Sequence, residues 1–548
     1  MRTGSGTAGR RYSGGCRGLL PDRIDLPQHT TWGTLWVVSY RYQTPVSGRS
    51  ITKNTGTTAS NEGGVGEVGN QQTLQELGLE GPGAARPDPA KTGQVLDEVR
   101  DLLSYSWRDW HVSGDEALEA LSLLAQLRLP SLVGAVRDLG NEQVERMLKN
   151  LPSDARSTPA FGKLITALGA DRVAPYLSDL MSRGMFDWFV TDADAERVAE
   201  VILALPRPDQ LKLLKSWDPD KVERMRDNLN DPDLLGEVMG TRFNLDIGPL
   251  ETGDLYEGMD WDVVGLRQAW DVLEDLPESH VRGNPKVDSL LRIESYGEGQ
   301  SASGYYKGSE HLVAIQYAEE GMDYLNMGNI DEKDPLYGGN YFDQTVRHEI
   351  GHAVDAKIGG FAGMCSRPVG GEWLYHFASN LEPLARRLVQ WSVGPIWALD
   401  DTALDTVIEA LGEAMAEGSA PDMLTRLEAL PAWKRLSAEQ RAAIENDPAI
   451  EVLSIGLDQP WQNASGGGVP VDGRIYQESY GGVWASYRVD ARSRAVSQYQ
   501  FRAPGEWFAE AYAAYYDPRG VYSGELLDRR DPAAKAWFDQ HVDKARMG

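Results

Sequence analysis

The sequence predicts a mainly α-helical protein that carries a small β-sheet, which places it in the α+β class. Three observations lead to this expectation. Apolar residues recur at helical spacing through residues 96–240 and again through residues 373–450. Short runs rich in β-branched and aromatic residues occupy positions 311–317 and 483–489. The first 95 residues are rich in glycine, serine and threonine and show no sustained periodicity.

Length and composition exclude several classes of protein. At about 100–200 residues per domain, 548 residues suggest three or four structural units. Lys and Arg total 54 against 82 Asp and Glu, for a net charge of −28, and such a surface repels phosphate backbones and anionic lipids. Nucleic-acid binding is therefore not expected. Two cysteines exclude a disulfide framework, and no apolar run is long enough to span a membrane.

The N-terminal region, residues 1–95, is predicted to be disordered. Its composition buries too little apolar surface to offset the entropy lost on ordering. Either a linker or a segment for loading and targeting is compatible with this composition. No signal peptide is recognisable at its start.

Residues 96–240 are predicted to form an α-helical repeat module of two units. Val144–Met147 aligns with Val222–Met225 at an offset of 78 residues. The segment Asp109–Val112 aligns with Asp187–Val190 at the same offset, without a gap. A constant offset over about 40 residues is the signature of an internal repeat. The module is either a docking surface for a partner or a spacer that packs on its neighbour.

Each unit also carries a candidate helix cap. Ser113 and Thr191 follow the aligned tryptophan segments, and their hydroxyls are suited to accept a bond from the first turn of a helix.

Residues 245–548 change in character and form the third predicted region. The run His311–Tyr317 is expected to be a strand, either in the core or as an edge to which an extended peptide adds as a further strand. Residues 373–450 are expected to be a helical insertion, and the glycine-rich residues 463–482 a loop. A helix is expected from Pro504 to at least Tyr516.

The strongest chemical signal is an H-E-x-x-H motif formed by His348, Glu349 and His352. On a helix, residues four apart lie about 40° apart around the axis, so both imidazoles face one way and can bind one zinc ion. Glu349 lies beside them, where it can reach a water molecule on the metal. The opposite side of this helix is an apolar stripe made of Val346, Ile350, Ala353 and Val354.

A catalytic zinc site needs a third protein ligand, and two glutamates compete for this role. Glu372 lies 20 residues after His352, a spacing that resembles thermolysin-like peptidases, although His376 stands where that family has an aspartate. Glu506 lies on the predicted C-terminal helix, with Glu510 one turn later on the same face. Glu510 is then placed to accept an N–H from a ligand imidazole, as an outer partner that orients it.

The second motif, Tyr499-x6-Glu506-x-Phe508-Ala509-Glu510, together with the H-E-x-x-H motif, resembles zinc metalloproteases of the anthrax lethal factor type. This resemblance implies a zincin-like domain over residues 245–548, with the insertion at 373–450 widening the gap between the motifs.

The resemblance further implies that His348, His352 and Glu506 ligate one zinc ion. By the same resemblance, Glu349 is the general base and Tyr499 assists catalysis. It favours Glu506 over Glu372 as the third ligand. The repeats at 96–240 also resemble helical modules that accompany bacterial toxin and effector domains.

The expected function is that of a zinc-dependent endopeptidase that acts on a protein or peptide substrate, with a water activated by Glu349. The resemblance implies a bacterial toxin or injected effector, made in the cytoplasm and exported through delivery machinery. Alternatives are a thermolysin-like ligand set with Glu372, a cell-wall peptide hydrolase, or a non-catalytic helical docking protein with a structural metal site. Cys365, 13 residues after His352, is expected to be a bystander thiol.

Overall fold

The computed structural model describes residues 89–104, 112–182, 190–250, 257–295, 304–316, 341–376, 381–416, 420, 422–458, 469–480, 483–497, 499–519 and 524–542. This part of the chain is mainly helical with two small sheets, as the sequence predicts for the α+β class. The expected disorder of residues 1–88 and the aligned tryptophan segments before residues 112 and 190 lie outside it. One boundary is corrected: the first described helix begins at Pro89, so the helical part starts before residue 96.

The N-terminal part is a succession of short helices. They are α1 (Pro89–Leu102), α2 (Gly114–Ala125), α3 (Leu129–Asp138), α4 (Asn141–Asn150), α5 (Ser153–Arg156), α6 (Pro159–Leu168), α7 (Ala170–Leu180), α8 (Asp192–Ala204), α9 (Arg207–Ser216), α10 (Pro219–Asn228) and α11 (Pro232–Phe243). Helices α8, α9 and α10 begin 78 residues after α2, α3 and α4. The spacing of the helices therefore follows the spacing of the aligned residues.

Polar contacts recur at the same offset as the helices. Arg146 donates to the carbonyl oxygen of Leu103 at 3.2 Å, and Arg224 donates to that of Met181. In both units a long cation thus satisfies a carbonyl group at the end of an earlier helix, where no intrahelical donor remains.

The two predicted caps also match. The hydroxyls of Ser113 and Thr191 each accept a hydrogen bond from a backbone N–H three residues later, at 3.2 Å. Acidic side chains at those positions bond back to the cap residues, which completes a capping box at both helix starts.

The first sheet lies between this helical part and the H-E-x-x-H helix. Its strands are β1 (Asp246–Pro249), β2 (Glu257–Gly258), β3 (Ser289–Ser295), β4 (Gly304–Lys307) and β5 (Leu312–Gln316). The order is β1-β3-β5-β4, with β2 paired to β3. Strands β1, β3 and β5 run parallel, whereas β4 runs antiparallel to β5 and forms the edge. Helices α12 (Val263–Asp275) and α13 (Tyr341–Lys357) accompany this sheet.

The second sheet supports the helical insertion. Strands β6 (Leu374–His376), β7 (Val469–Val471), β8 (Arg474–Glu478) and β9 (Trp484–Arg488) are ordered β6-β9-β8-β7. The helices between them are α14 (Leu381–Ser392), α15 (Asp401–Ala416), α16 (Met423–Ala429), α17 (Pro431–Arg435), α18 (Ala438–Glu445) and α19 (Pro448–Asp458).

Two boundaries around the insertion are corrected by these strands. The insertion is helical over 381–458 rather than 373–450, because the chain first contributes β6 to the sheet. The glycine-rich stretch 463–482 is not only a loop, since β7 and β8 lie within it. Strand pairing outweighs the weak intrinsic β-propensity of such a stretch, which the local sequence does not reveal.

Two buried apolar clusters lie on opposite faces of the β8–β9 hairpin. Ile475, Ala485 and Tyr487 join a large cluster that extends through the N-terminal helices, the first sheet and the C-terminal helices. Tyr476 and Trp484 point to the other face and join the core of the insertion. The alternation follows from the two-residue period of a strand. The insertion therefore has a core of its own and is fastened to the rest through this hairpin.

The chain ends in α20 (Pro504–Tyr515), α21 (Glu525–Arg530) and α22 (Pro532–His541). Helix α20 ends one residue before the predicted Tyr516 and packs closely against α13 at Gly351. A Cβ atom at Gly351 would lie 3.1 Å from Tyr512 Cβ and 3.2 Å from Ala509 Cα. Only a residue without a side chain allows the two helix backbones to approach this far.

None of the described helices is both long enough and apolar enough to cross a lipid bilayer.

The crossing yields a stability prediction. Gly351→Ala should lower the free energy of unfolding by about 1–3 kcal/mol, because the new methyl group meets a Cα and a Cβ that cannot yield without moving a helix. Gly162→Ala is the matched control, since it is also inside a helix but has nothing within 4 Å of its Cβ position. That variant should gain about 0.5–1 kcal/mol. Denaturant unfolding measures both, and equal stability of the two variants contradicts the close crossing.

Candidate metal centre and active site

Three side chains from two helices meet at the crossing of α13 and α20. The Nε2 atoms of His348 and His352 lie 3.1 Å apart. Oε2 of Glu506 lies 2.9 Å from the first of these nitrogens and 3.3 Å from the second. His348 and Glu506 are buried, and His352 is partly exposed. This is the group of potential metal ligands that the described residues bring together.

The spacing of the three donor atoms fits zinc. Two ligands at 2.0–2.1 Å from a tetrahedral ion lie about 3.3 Å apart. The three observed separations are 2.9, 3.1 and 3.3 Å, so a single ion can be reached by all three donors with small side-chain adjustments. Two imidazoles and one carboxylate are the donor set of catalytic zinc sites, in which a fourth position stays open.

Glu510 contacts the imidazole of His348 at the ring nitrogen that faces away from the metal position. Its Oε1 lies 2.6 Å from Nδ1 of His348. An N–H at Nδ1 donates to this carboxylate, which leaves the lone pair of Nε2 directed at the metal position and fixes the ring orientation. Glu510 is buried and lies one turn after Glu506 on α20, in the outer position that the sequence predicts for it.

The charged side chains of this buried group strongly shift one another's pKa values. Burial alone would lower the pKa of His348, but its hydrogen bonds to Glu506 and Glu510 outweigh burial and raise the pKa well above its ordinary value. Burial alone would raise the pKa of Glu506, yet the nearby His352 and His348 hold it far below its ordinary range. Glu506 is therefore ionised, which is the form that binds a cation.

Glu349 is buried beside the same group, next to the edge strand β4. A Cβ atom at Gly304 of this strand would lie 3.1 Å from Glu349 Cγ. Burial raises the pKa of Glu349, while His348 and His352 oppose the rise. A carboxylate with a raised pKa is suited to take up a proton and return it near neutral pH.

Tyr499 lies at the rim of the site, in a short 3₁₀ turn (Tyr499–Phe501) just before α20. Its ring centroid is 5.8 Å from that of His348, and the residue is 39% exposed. Burial of the hydroxyl and the neighbouring Glu506 raise the pKa of Tyr499, so the hydroxyl is protonated. Sequence analysis predicts Tyr499 at the site, and the structure brings it there.

Tyr480 is a site residue that sequence analysis missed. Its hydroxyl donates to Oε1 of Glu506 at 2.9 Å and lies 2.8 Å from the hydroxyl of Tyr499. It stands just after β8, in none of the motifs that bear chemistry. With 22 tyrosines in the chain, no local signal distinguishes this one.

Glu372, the alternative third ligand, does not join the metal group. Its carboxylate lies 3.5 Å from a guanidinium nitrogen of Arg488, at the end of β9. Its backbone has a left-handed φ of 48°, and its carbonyl oxygen accepts a bond from Arg474. His376 is hydrogen-bonded to Ser486 at 2.9 Å within the second sheet. The structure therefore keeps Glu372 out of the group formed by the two imidazoles and Glu506, because β6 carries this segment into the second sheet.

Two further buried groups lie close to the crossing. Burial raises the pKa of Asp355, one turn after His352, to about 7, and His352 opposes this rise. The thiol of Cys365 donates to the carbonyl oxygen of Pro504 at 3.0 Å. Burial raises the pKa of Cys365 well above its ordinary value, so it is present as a thiol rather than a thiolate. Cys365 contacts the first residue of α20 and is not a member of the metal group.

Of the two alternatives for the run 311–317, a core strand or an edge that pairs with an extended peptide, the structure shows the core strand. The predicted run 311–317 corresponds to β5, which pairs with β3 on one side and β4 on the other. Both of its edges are occupied, so β5 is a core strand. The edge strand beside Glu349 is β4, which pairs with no strand other than β5 in the described part of the chain.

The ligand assignment is testable by metal binding. Glu506→Ala should weaken zinc affinity by more than about 100-fold, because outer partners of a ligand alone are worth about 10–100-fold. Glu372→Ala should leave it unchanged, since its carboxylate pairs with Arg488. Metal content after dialysis and competition against a chromophoric chelator measure both. The opposite pattern would return the protein to the thermolysin-like ligand set.

Comparison with protein-family profiles, with curated proteins and with solved structures yields no significant match over any part of the chain. The resemblance to lethal-factor-type peptidases therefore rests on the two sequence motifs alone.

Proposed function

We propose that the chain is a zinc-dependent endopeptidase with a zincin-like catalytic domain. The observation that carries this proposal is the meeting of His348, His352 and Glu506 at separations that suit one zinc ion. Glu349 beside this group and Glu510 behind it complete the set of functional groups that such chemistry needs. A structural zinc site has four protein ligands, whereas three potential ligands meet among the described residues here.

When bound, zinc would lower the pKa of a water molecule to about 7 and polarise the carbonyl group of the scissile bond. Glu349 accepts the proton of the attacking water and later donates it to the leaving amine. Its raised pKa suits both steps, because a stronger acid would retain too little affinity for the proton. His348 is held in the required orientation by Glu510.

Tyr499 supplies a hydrogen bond to the carbonyl oxygen as negative charge develops on it. Its hydroxyl is protonated, and its side chain is exposed at the rim, where a substrate passes. A donor aimed at developing charge in a partly buried site stabilises the transition state more than the ground state.

The substrate of this proposal is an extended polypeptide that adds as a further strand beside β4, which among the described strands pairs with β5. Main-chain hydrogen bonds to an edge strand hold a peptide in extended form without regard to its sequence. Because Gly304 of β4 lies against Glu349, a peptide on this edge passes directly by the general base. Pairing with β4 thus positions a peptide bond rather than a side chain for attack.

Delivery into another cell as a toxin or effector remains part of the proposal and rests on the resemblance of the motifs. The helical units before the catalytic domain are suited to bind a partner or the delivery machinery. Their described residues contribute no member of the metal group, so a docking role would not compete with catalysis.

The central test is Glu349→Gln. Hydrolysis of casein or of a peptide library should fall by about 10²- to 10⁴-fold, because the general base is lost while the side-chain volume is kept. Zinc content should equal that of the wild type, since Glu349 is not a member of the ligand group. Glu372→Gln is the matched control and should cleave normally. Wild-type turnover by Glu349→Gln would contradict the mechanism.

The same assay separates the alternative functions. A chelator should abolish cleavage and added zinc should restore it. Cleavage of purified peptidoglycan without cleavage of casein would indicate a cell-wall peptide hydrolase instead. Zinc binding without hydrolysis of either substrate would indicate a structural metal site.

Tyr499→Phe should lower kcat by about 10²- to 10³-fold with little change in KM, because the lost hydrogen bond acts mainly in the transition state. Tyr515→Phe is a suitable control, since its hydroxyl bonds to Asp539 on the far side of α20 at 2.7 Å. Steady-state kinetics on one peptide substrate measure both variants. An unchanged kcat would reduce Tyr499 to a packing residue.

A further inference from the structure

We propose that Tyr480 is the positioning residue for the metal ligand Glu506, and that the helical insertion holds Tyr480 in place. This inference rests on the proposed metal site. Tyr480 contacts both the ligand and Tyr499, at 2.9 and 2.8 Å between hydrogen-bonding atoms. Its position outside every motif means that only the folded chain brings it there.

The two carboxylate oxygens of Glu506 have different partners. Oε2 faces both imidazoles at 2.9 and 3.3 Å, whereas Oε1 accepts the hydroxyl of Tyr480. Without this partner the carboxylate loses a contact that fixes its orientation toward the imidazoles. By donating to Oε1, Tyr480 directs Oε2 at the position that a metal ion would occupy. A ligand held in this orientation would bind the ion more tightly than one that must first be oriented.

The hydrogen bond from Tyr480 to Glu506 also decides which hydroxyl donates in the contact between Tyr480 and Tyr499. A carboxylate accepts but cannot donate, so Tyr480 spends its only proton on Glu506. In the contact between the hydroxyls, Tyr499 is therefore the donor and Tyr480 the acceptor. Before substrate binds, the Tyr499 hydroxyl donates its proton in a hydrogen bond to Tyr480, and it later donates the same proton to the carbonyl oxygen. Tyr480 thereby orients both the ligand and the hydrogen-bond donor.

Tyr480 is itself held in place by contacts around its backbone and its ring. It opens the turn between β8 and β9, where the backbone N–H of Ser479 donates to the carbonyl oxygen of Val483 at 2.7 Å. Arg502 lies over its ring, with the guanidinium carbon 4.2 Å from the ring centroid. A cation over an aromatic face restrains the ring without using its hydroxyl.

The helical insertion contacts both strands of the β8–β9 hairpin. Arg426 of α16 binds Glu478, the last residue of β8, through two parallel bonds of 3.0 Å. The side chains of this pair are 4% and 13% exposed, so the contact is shielded from water. On β9, the indole of Trp484 donates to the carbonyl oxygen of Met415 at 3.1 Å. A bidentate buried pair fixes direction as well as distance, and it ends two residues before Tyr480.

Tyr480→Phe is the direct test, because it removes one oxygen atom and keeps the ring. Zinc affinity, measured in the full-length protein by competition with a chromophoric chelator, should fall by about 10- to 100-fold. The visible spectrum of the cobalt-substituted variant should change as well, since the ligand geometry changes. Tyr176→Phe is the matched control. Its buried hydroxyl donates to Leu148 in the helical repeats at 3.2 Å, and its loss should leave both readouts unchanged.

A double-mutant cycle tests the role of the insertion. Glu478→Gln should weaken zinc binding on its own and should add little in the Tyr480→Phe background, because it acts through Tyr480. Glu413→Gln is the control, since it breaks an exposed pair with Arg435 in the same insertion. Additive effects, or no effect of Glu478→Gln, would overturn the role of the insertion. If Glu478→Gln does not fold, Arg426→Lys is used in the cycle, as it keeps the charge but loses the bidentate geometry.

These results are separable from the proposed function. If the wild type binds zinc but cleaves no peptide, the endopeptidase proposal fails while the affinity of Tyr480→Phe still decides the positioning role. If the wild type binds zinc and Tyr480→Phe binds it equally well with an unchanged cobalt spectrum, the inference about Tyr480 is overturned alone. If the wild type binds no zinc, both are overturned.

Discussion

The candidate site depends on one constraint, the close approach of α13 and α20 at Gly351. Ligands that are 158 residues apart in the chain face each other only because the backbone of α20 reaches the place where a side chain at Gly351 would stand. Ala509, beside this contact, adds minimal bulk. A wider crossing would leave Glu506 short of the imidazoles, and the paired histidines would be two polar residues on an ordinary helix.

Bringing charged groups together in a buried site is costly unless each is paired. The structure meets part of this requirement by pairing His348 and Glu506 with outer partners. Glu510 receives an N–H of His348, and Tyr480 donates to the outer oxygen of Glu506. What remains directed at the common centre is one oxygen and two nitrogens, which is the arrangement that a divalent cation satisfies best.

The helical insertion is connected to the candidate site through the hairpin of β8 and β9. One face of the hairpin belongs to the core that includes α13 and α20, and the other to the core of the insertion. The turn at its end carries Tyr480. The helical insertion, which separates the two motifs in the chain, is thus packed against the hairpin that carries Tyr480. The Arg426–Glu478 pair is the polar part of that contact.

The sequence by itself determined the features that depend on local order along the chain. These are the H-E-x-x-H helix, the E-x-F-A-E helix, the capping boxes and the 78-residue spacing of the helices, because periodicity and cap chemistry act within a few residues. Only the tertiary structure brought Glu506 rather than Glu372 to the imidazoles, placed β5 between β3 and β4, and revealed Tyr480. Each of these depends on which segments pack together in space. Such contacts, whether 26 residues apart as between Tyr480 and Glu506 or 158 apart as between His348 and Glu506, leave no local periodicity from which they can be predicted.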